Sequence, residues 1–223
     1  MLLLSLDLAF SINNFTLWDC EEGTAKQVYG ENIGRKALQI FPKIFEDLKL
    51  PIQEIDIFAV NVGVGYSTGL RIGVTMAKTY AQAADKPLVT YTSYEALLYN
   101  LPLEGKFLVV FKISRYFVGG FWEKRGKNLI GLDYPFILKG DNLGEKLSSA
   151  DGIVIPASLE KTFTEAFKEV LTSSVFNNRE AVIYPVANEI LSYTGAALAC
   201  EKFKRGEVAE ILKVEPLYFR PPV

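Results

Sequence analysis

The apolar positions of this chain fall twice into the same order: three strand-like runs, then alternating helical and strand-like segments. Residues 2–8 form an apolar run interrupted only by Ser5 and Asp7, which predicts a strand buried on both faces. Residues 11–18 and 23–29 predict two further strands joined by short polar turns. Over 35–48, Ala37, Leu38, Phe41, Ile44, Phe45 and Leu48 recur at helical spacing. Pro42 either kinks that helix or opens a second short one. A strand at 56–61, a glycine-rich loop at 63–69 and a helix at 70–84 follow. After a short strand at 88–91, Thr92 and Glu95 have the spacing of a capping box that opens a helix through Tyr99.

Residues 101–105 mark a boundary, and the second half again opens with strands, at 106–113, 116–124 and 128–133. Gly119 and Gly120, inside the second of these, predict a bulge. A helix at 142–147, a strand at 152–155, a helix at 158–171, a polar linker at 172–178 and a long helix at 185–204 complete the pattern, with Pro185 in the last helix's first turn. The tail, 215–223, reads as extended. The expectation is an α/β protein of two related lobes, 1–103 and 104–223, each a mixed sheet flanked by helices. The last helix has the option of packing back on the first lobe.

Composition narrows the chemistry. The chain has no histidine, so Ser-His-Asp and Cys-His triads and histidine zinc sites are excluded. Any acid–base chemistry near neutral pH falls to carboxylates, lysines or tyrosines. A net charge of -2 and the absence of a basic run longer than residues 202–205 argue against tight binding of nucleic acid by this chain alone. Cys20 and Cys200 have no zinc or C-x-x-C spacing and read as separate, buried, reduced thiols. The apolar N-terminus lacks a positive flank and reads as a strand rather than a signal peptide. No apolar run reaches the length of roughly 18 residues that a membrane helix requires.

The loop 63–69, Gly-Val-Gly-Tyr-Ser-Thr-Gly, lies between a strand and a helix. It lacks the Gly-Lys-Ser/Thr of a Walker A loop, and Thr68 stands where G-x-G-x-x-G needs its third glycine. Two readings stay open. The loop can cradle an anion on backbone N–H groups, with Asp7 facing a metal-bound phosphate. Alternatively, it is a tight turn ahead of a closely packed helix. Gly73, Ala77, Ala81 and Ala84 give that helix a small face, suited either to this chain's own sheet or to a subunit interface.

The same stretch resembles the Gly-Pro-Gly-Ser-Phe-Thr-Gly-Leu-Arg-Ile-Gly signature of the TsaB/YeaZ family. Pro51, Ile55, Asp56, Ala59 and Val60 precede it at similar spacing, and Ile72, Gly73, Val74, Ala77 and Lys78 continue it. Pro87-Leu88-Val89, Ser93-Tyr94-Glu95-Ala96-Leu97 and the ending Val214-Glu215-Pro216-Leu217-Tyr218-Phe219-Arg220 are also similar to the family. The resemblance is strong over 1–100, weak over 104–200, and returns at the tail. Val64 replaces the usual proline, Tyr66-Ser67 replaces Ser-Phe, and Leu8-Ala9 follows Asp7 where relatives have Thr-Ser. Lys36 and Ala37 lie where a His-Ser is common. These departures count against a working nucleotide site.

The resemblance implies the actin-like ATPase (RNase H-like) fold and a cytoplasmic, non-catalytic role. The family's complex adds a threonylcarbamoyl group to the adenosine beside the tRNA anticodon. Its members bind the catalytic subunit TsaD, work with the ATPase TsaE, form a homodimer when alone, and meet tRNA only through the complex. No cofactor of its own is implied, because ATP and metal belong to the partner subunits. Asp7, Gly63, Gly65, Ser67, Thr68 and Gly69 then form a degenerate nucleotide loop. Ile72, Gly73, Met76, Ala77, Tyr80 and Ala81, beside Phe41 and Phe45, form the expected partner interface. The alternative is a small-molecule kinase of the same superfamily, for which Asp7 is one acid and no second phosphate loop is evident. A peptidase reading finds Ser67 without a base.

Overall fold

The computed structural model describes residues 1–32, 36–133, 135–173, 182–187 and 190–219. In chain order these form β1 (Leu2–Asp7), β2 (Asn13–Asp19), β3 (Thr24–Glu31), α1 (Ala37–Leu48), β4 (Ile57–Asn61), α2 (Ser67–Ala84), β5 (Leu88–Tyr91) and α3 (Ser93–Leu98). There follow β6 (Gly105–Ile113), β7 (Tyr116–Arg125), β8 (Asn128–Gly131), β9 (Phe136–Leu138), α4 (Gly140–Ser148) and β10 (Gly152–Pro156). The chain closes with α5 (Glu160–Ala166), α6 (Lys168–Ser173), β11 (Ile183–Val186) and α7 (Leu191–Lys204). Among the described residues no helix is long and apolar enough to cross a membrane.

Two compact units result, Met1–Ala96 with Ile190–Tyr218, and Leu97–Glu189 with Phe219–Val223. The boundary expected at 103/104 therefore falls at Ala96/Leu97, and 190–218, counted above with the second lobe, belongs to the first. The sheet of the first unit has the order β3-β2-β1-β4-β5. Its first three strands are antiparallel neighbours, while β4 runs parallel to β1 and β5. The second unit has the order β11-β10-β6-β7-β8, with β9 also pairing β7, and repeats the plan of an antiparallel meander joined to parallel strands.

Side-chain alternation explains the layering of the first unit. Leu4, Leu6, Phe15, Leu17, Phe58 and Val60 point to one face, where Phe41 of α1 and Val74, Met76, Ala77 and Ala81 of α2 complete the core. The opposite face carries Ser5, Thr16 and Tyr91 and packs against α7. Polar atoms on that buried face are paired. Ser5 Oγ lies 2.9 Å from Tyr91 Oη, Thr16 Oγ1 lies 2.9 Å from Ser192 Oγ, and the Ser192 N–H donates to Asn14 Oδ1 at 2.9 Å. In the second unit, Leu143 and Leu147 of α4, Phe163 of α5 and Phe167 fill the face of Leu108, Val110, Phe117 and Ile153.

Several boundaries differ from the sequence expectation. Pro185 lies in β11 rather than in the last helix, which begins at Leu191. A proline is tolerated there because β11 is the sheet's edge strand. The helix expected at 158–171 is divided at Phe167, whose ring turns into the core between α5 and α6. No register shift accompanies Gly119 and Gly120. A Cβ on Gly119 would instead lie 3.0 Å from Leu108 Cδ1 and 3.3 Å from Leu138 Cδ1, so the glycine answers to close packing rather than to a bulge. Helix α1 runs through Pro42. Arg35 and most of the linker expected at 172–178 lie outside the described residues. Cys20 and Cys200, expected as separate thiols, are joined in a disulfide with their Cα atoms 5.8 Å apart.

Because α7 covers one face of the first sheet, a fragment comprising residues 1–103 leaves Leu3, Ser5, Thr16 and Tyr91 without their cover. That fragment should show no cooperative thermal transition by circular dichroism, whereas the full chain should show one. A cooperative transition from the fragment would contradict the division described here.

Candidate functional site

The glycine-rich loop and Asp7 meet at the carboxyl ends of β1 and β4. The Ala9 N–H donates to Asp7 Oδ1 at 2.8 Å, and Asn61 Nδ2 donates to Asp7 Oδ2 at 3.1 Å. Asn61 extends the network. Its Nδ2 reaches Ser93 Oγ at 2.9 Å, and its Oδ1 accepts the Gly63 N–H at 2.9 Å. Ser93 Oγ donates to the Val64 carbonyl at 2.6 Å, and the Ser93 N–H donates to the Gly63 carbonyl at 2.6 Å. The first turn of α3 thus grips the start of the loop. The expected capping box is present beside it, with Thr92 N–H donating to Glu95 Oε2 at 2.7 Å and Glu95 N–H to Thr92 Oγ1 at 3.1 Å.

Asp7 is 1% exposed. Burial pushes its carboxyl up to about 6, against the opposing effect of the Ala9 N–H and the Asn61 amide. The Tyr91 hydroxyl is also raised, first by burial and then by the nearby Asp7 charge.

The glycines serve close packing. The Tyr66 N–H donates to the Ala9 carbonyl at 2.7 Å. A Cβ on Gly65 would collide with Ala9, and one on Gly69 with the Leu8 carbonyl oxygen. The chain's own β1–β2 connection therefore packs directly against Gly65 and Gly69. Ser67 and Thr68 are exposed in the first turn of α2. Among the described residues, no group of three or more His, Cys, Asp or Glu side chains is placed to hold a metal ion.

The C-terminal segment supplies a second layer that sequence reasoning did not assign. The Leu217 N–H donates to the Val62 carbonyl at 2.6 Å. Lys78 Nζ donates to the carbonyls of Leu212 and Val214, each at 3.1 Å, and Arg71 Nε donates to Tyr218 Oη at 2.9 Å. Residues 211–218 thereby form a strap along β4 and α2. The only signal for it in the sequence is the family-like ending; apart from Tyr218 Oη, the acceptors named are backbone carbonyls, which leave no trace in side-chain patterns.

The residues expected at a partner interface are mostly internal. Ala77 and Ala81 are fully buried, Met76 is 4% exposed and Phe41 1% exposed. A Cβ on Gly73 would meet Leu8 at an ordinary contact distance of 3.5 Å. Tyr80 meets Phe45 edge-on at 5.8 Å, and Phe41 lies 5.5 Å from Phe15. Ile72 is half-buried against the same core. The small face of α2 accordingly joins the helix to its own sheet. What α2 turns outward is Arg71, Thr75, Thr79 and Gln82. With Val214 and Pro216 of the strap, these line a surface groove of about 370 Å³.

The two-unit arrangement, with a meander and parallel strands in each, is the actin-like ATPase type of fold. YeaZ from Pseudomonas aeruginosa shares it at a TM-score of 0.72 and 16% identity, with 97% of this chain and 99% of that one covered. A family model described as TsaD, tRNA N6-adenosine threonylcarbamoyltransferase, matches residues 28–112. Two proteins named tRNA threonylcarbamoyladenosine biosynthesis protein TsaB are similar in sequence. That of Bacillus subtilis (strain 168) is 32% identical over 99 residues, 42% of this chain and 43% of its own length. That of Escherichia coli (strain K12) is 23% identical over 99% of this chain and 95% of its own length. In sequence and in fold the chain is thus similar to proteins of the TsaB/YeaZ family.

Two outcomes follow from the geometry. Ala77→Arg places a charge in the core of the first unit and should destabilise the chain by roughly 3–5 kcal/mol in urea denaturation. A variant as stable as the parent would return that face to the surface. Asp7 has the opposite sign from a salt-bridged carboxylate. Its folded value, about 6, exceeds the unfolded 3.8, so its contribution is complete below the unfolded value and is lost as pH rises through about 6. The loss amounts to about 3 kcal/mol. Asp7→Asn should flatten the stability–pH curve across that window, and a variant with an unchanged slope would assign the dependence elsewhere.

Proposed function

We propose that this chain is a non-catalytic subunit in the synthesis of threonylcarbamoyladenosine in tRNA, and that it acts by binding and supporting the threonylcarbamoyltransferase subunit TsaD. The observation that carries this reading is the close packing of the glycine loop on the Leu8–Ala9 backbone. A phosphate cradle needs free N–H groups and open space in front of them. Here Tyr66 and Gly63 donate to Ala9 and Asn61, while Gly65 and Gly69 abut the Leu8–Ala9 backbone. Asp7, the acid a metal-bound phosphate would require, is buried and tied to Ala9 and Asn61. The names of the Bacillus and Escherichia relatives support the pathway. The kinase reading loses support for the same reason that the loop does.

On this reading ATP and metal are held by the partner subunits, TsaE joins the assembly, and tRNA is engaged through the complex. The chain works in the cytoplasm and pairs with itself when TsaD is absent. The contact surface is the outward flank of α2 with the strap, continued by α1, where Leu38 is 55% exposed.

Co-purification with the TsaD homologue of the same organism tests the reading, with retention as the expected result. Thr75→Arg should leave the monomer folded and weaken retention by at least about tenfold, a change of roughly 1.4 kcal/mol. Loss of co-purification by the unaltered chain sinks the partner assignment. ATP hydrolysis by the purified chain that disappears in Asp7→Asn sinks the non-catalytic one.

A further inference from the structure

The connection between the two segments of the first unit has a covalent component that the proposed function does not use. Cys20 follows β2 and Cys200 lies in α7, 180 residues apart in sequence. Both are 3% exposed. The chain leaves the first unit after Ala96 and returns at Ile190. The disulfide therefore bonds the returning segment directly to the sheet it covers and closes the second unit's chain inside the ring.

Around the bond, α7 is held by contacts that lead to the glycine loop. Lys204 Nζ donates to the Cys20 carbonyl at 3.4 Å, and Trp18 meets Tyr193 edge-on at 5.3 Å. Gly195 brings the helix onto the ring of Tyr91, where a Cβ would collide. Tyr91 Oη in turn reaches Ser5 Oγ and the Leu6 carbonyl of β1. Two residues beyond Cys200, Lys202 Nζ lies 2.6 Å from Glu95 Oε1 and donates to the Thr90 carbonyl at 3.1 Å. Glu95 closes the capping box on Thr92, and the adjacent Ser93 grips Val64 and Gly63. The position of α7 is thus communicated, contact by contact, to the N-terminus of α3 and the loop.

We propose that the Cys20–Cys200 disulfide is a redox-controlled staple on α7: oxidised, it fixes the helix and through Glu95 and Ser93 the glycine loop; reduced, it lets both loosen while the second unit stays intact. The reduction takes two electrons from a dithiol, which becomes a disulfide itself, and two protons end on the Cys20 and Cys200 sulfurs. Since neither sulfur is open to solvent, exchange follows local opening of α7, so the folded protein keeps its staple in moderately reducing surroundings.

The test uses the full chain. Alkylation in denaturant followed by intact-mass measurement should give no adducts without reductant and two after dithiothreitol. The Cys20→Ala/Cys200→Ala variant should melt roughly 5–15 °C lower. By hydrogen exchange it should lose about tenfold or more of its protection in α7, in 61–66 and in 92–96, with β6, β7 and β10 changed less than about twofold. The unaltered chain treated with dithiothreitol should give the same exchange pattern, so the proposal does not depend on the variant's folding. Two adducts without reductant overturn it, as does unchanged exchange in α7 after reduction. Equal loss in both units overturns the coupling from α7 to the loop.

Discussion

Strand β1 is buried on both faces, and every feature of the first unit follows from supplying two covers for it. One cover is local. Helices α1 and α2 follow within 84 residues and bring Phe41, Met76, Ala77 and Ala81 to the apolar face. The other face carries Ser5, Asn14, Thr16 and Tyr91, whose polar atoms would be expensive to bury alone. Their partners lie partly among themselves and partly in α7, at Ser192. The chain must therefore come back from the second unit before the first is complete. The Lys202–Glu95 pair and the strap both depend on that return.

A glycine-rich turn can exist for two physical reasons that look alike in sequence. Both require the absence of a Cβ, one to admit a phosphate and the other to admit a neighbouring backbone. At Gly65 and Gly69 the neighbour is Leu8–Ala9. Asp7 shows the same conversion. An acid at the end of the first strand suits a metal-bound phosphate, yet here it is desolvated and spends both oxygens within the chain. Burial raises that carboxyl to about 6, against the lowering effect of the Ala9 N–H and the Asn61 amide.

Local order was largely legible. The apolar runs located β1, β4, β6 and β10 because strands buried on both faces need no alternation to be seen. The Thr92–Glu95 spacing gave a helix start that the hydrogen bonds realise. What escaped is what depends on distant chain. Pro185 resembles a helix N-terminus until β11 is known to be an edge strand. Gly119 resembles a bulge until Leu108 and Leu138 are known to converge on it. The small face of α2 is equally compatible with a partner or with the chain's own sheet, and only the burial of Ala77 and Ala81 decides between them. Cys20 and Cys200 become neighbours solely because α7 returns.

The surface left to α2 has consequences for the proposed partnership. Its outward flank presents Arg71, Thr75, Lys78, Thr79 and Gln82, with apolar contributions from Val74, Val214 and Pro216. Such a mixture resembles the rim and core of a reversible interface more than the apolar face of an obligate one. Val214 and Pro216 bring the strap into the groove wall, and the strap is positioned by Arg71 on Tyr218 and by Lys78 on two carbonyls. The same side chains therefore shape the binding surface and hold the segment that covers Val62. On the proposed partnership, a partner that engages this groove touches α2 and the strap at once, and only a molecule with the two in register presents it whole.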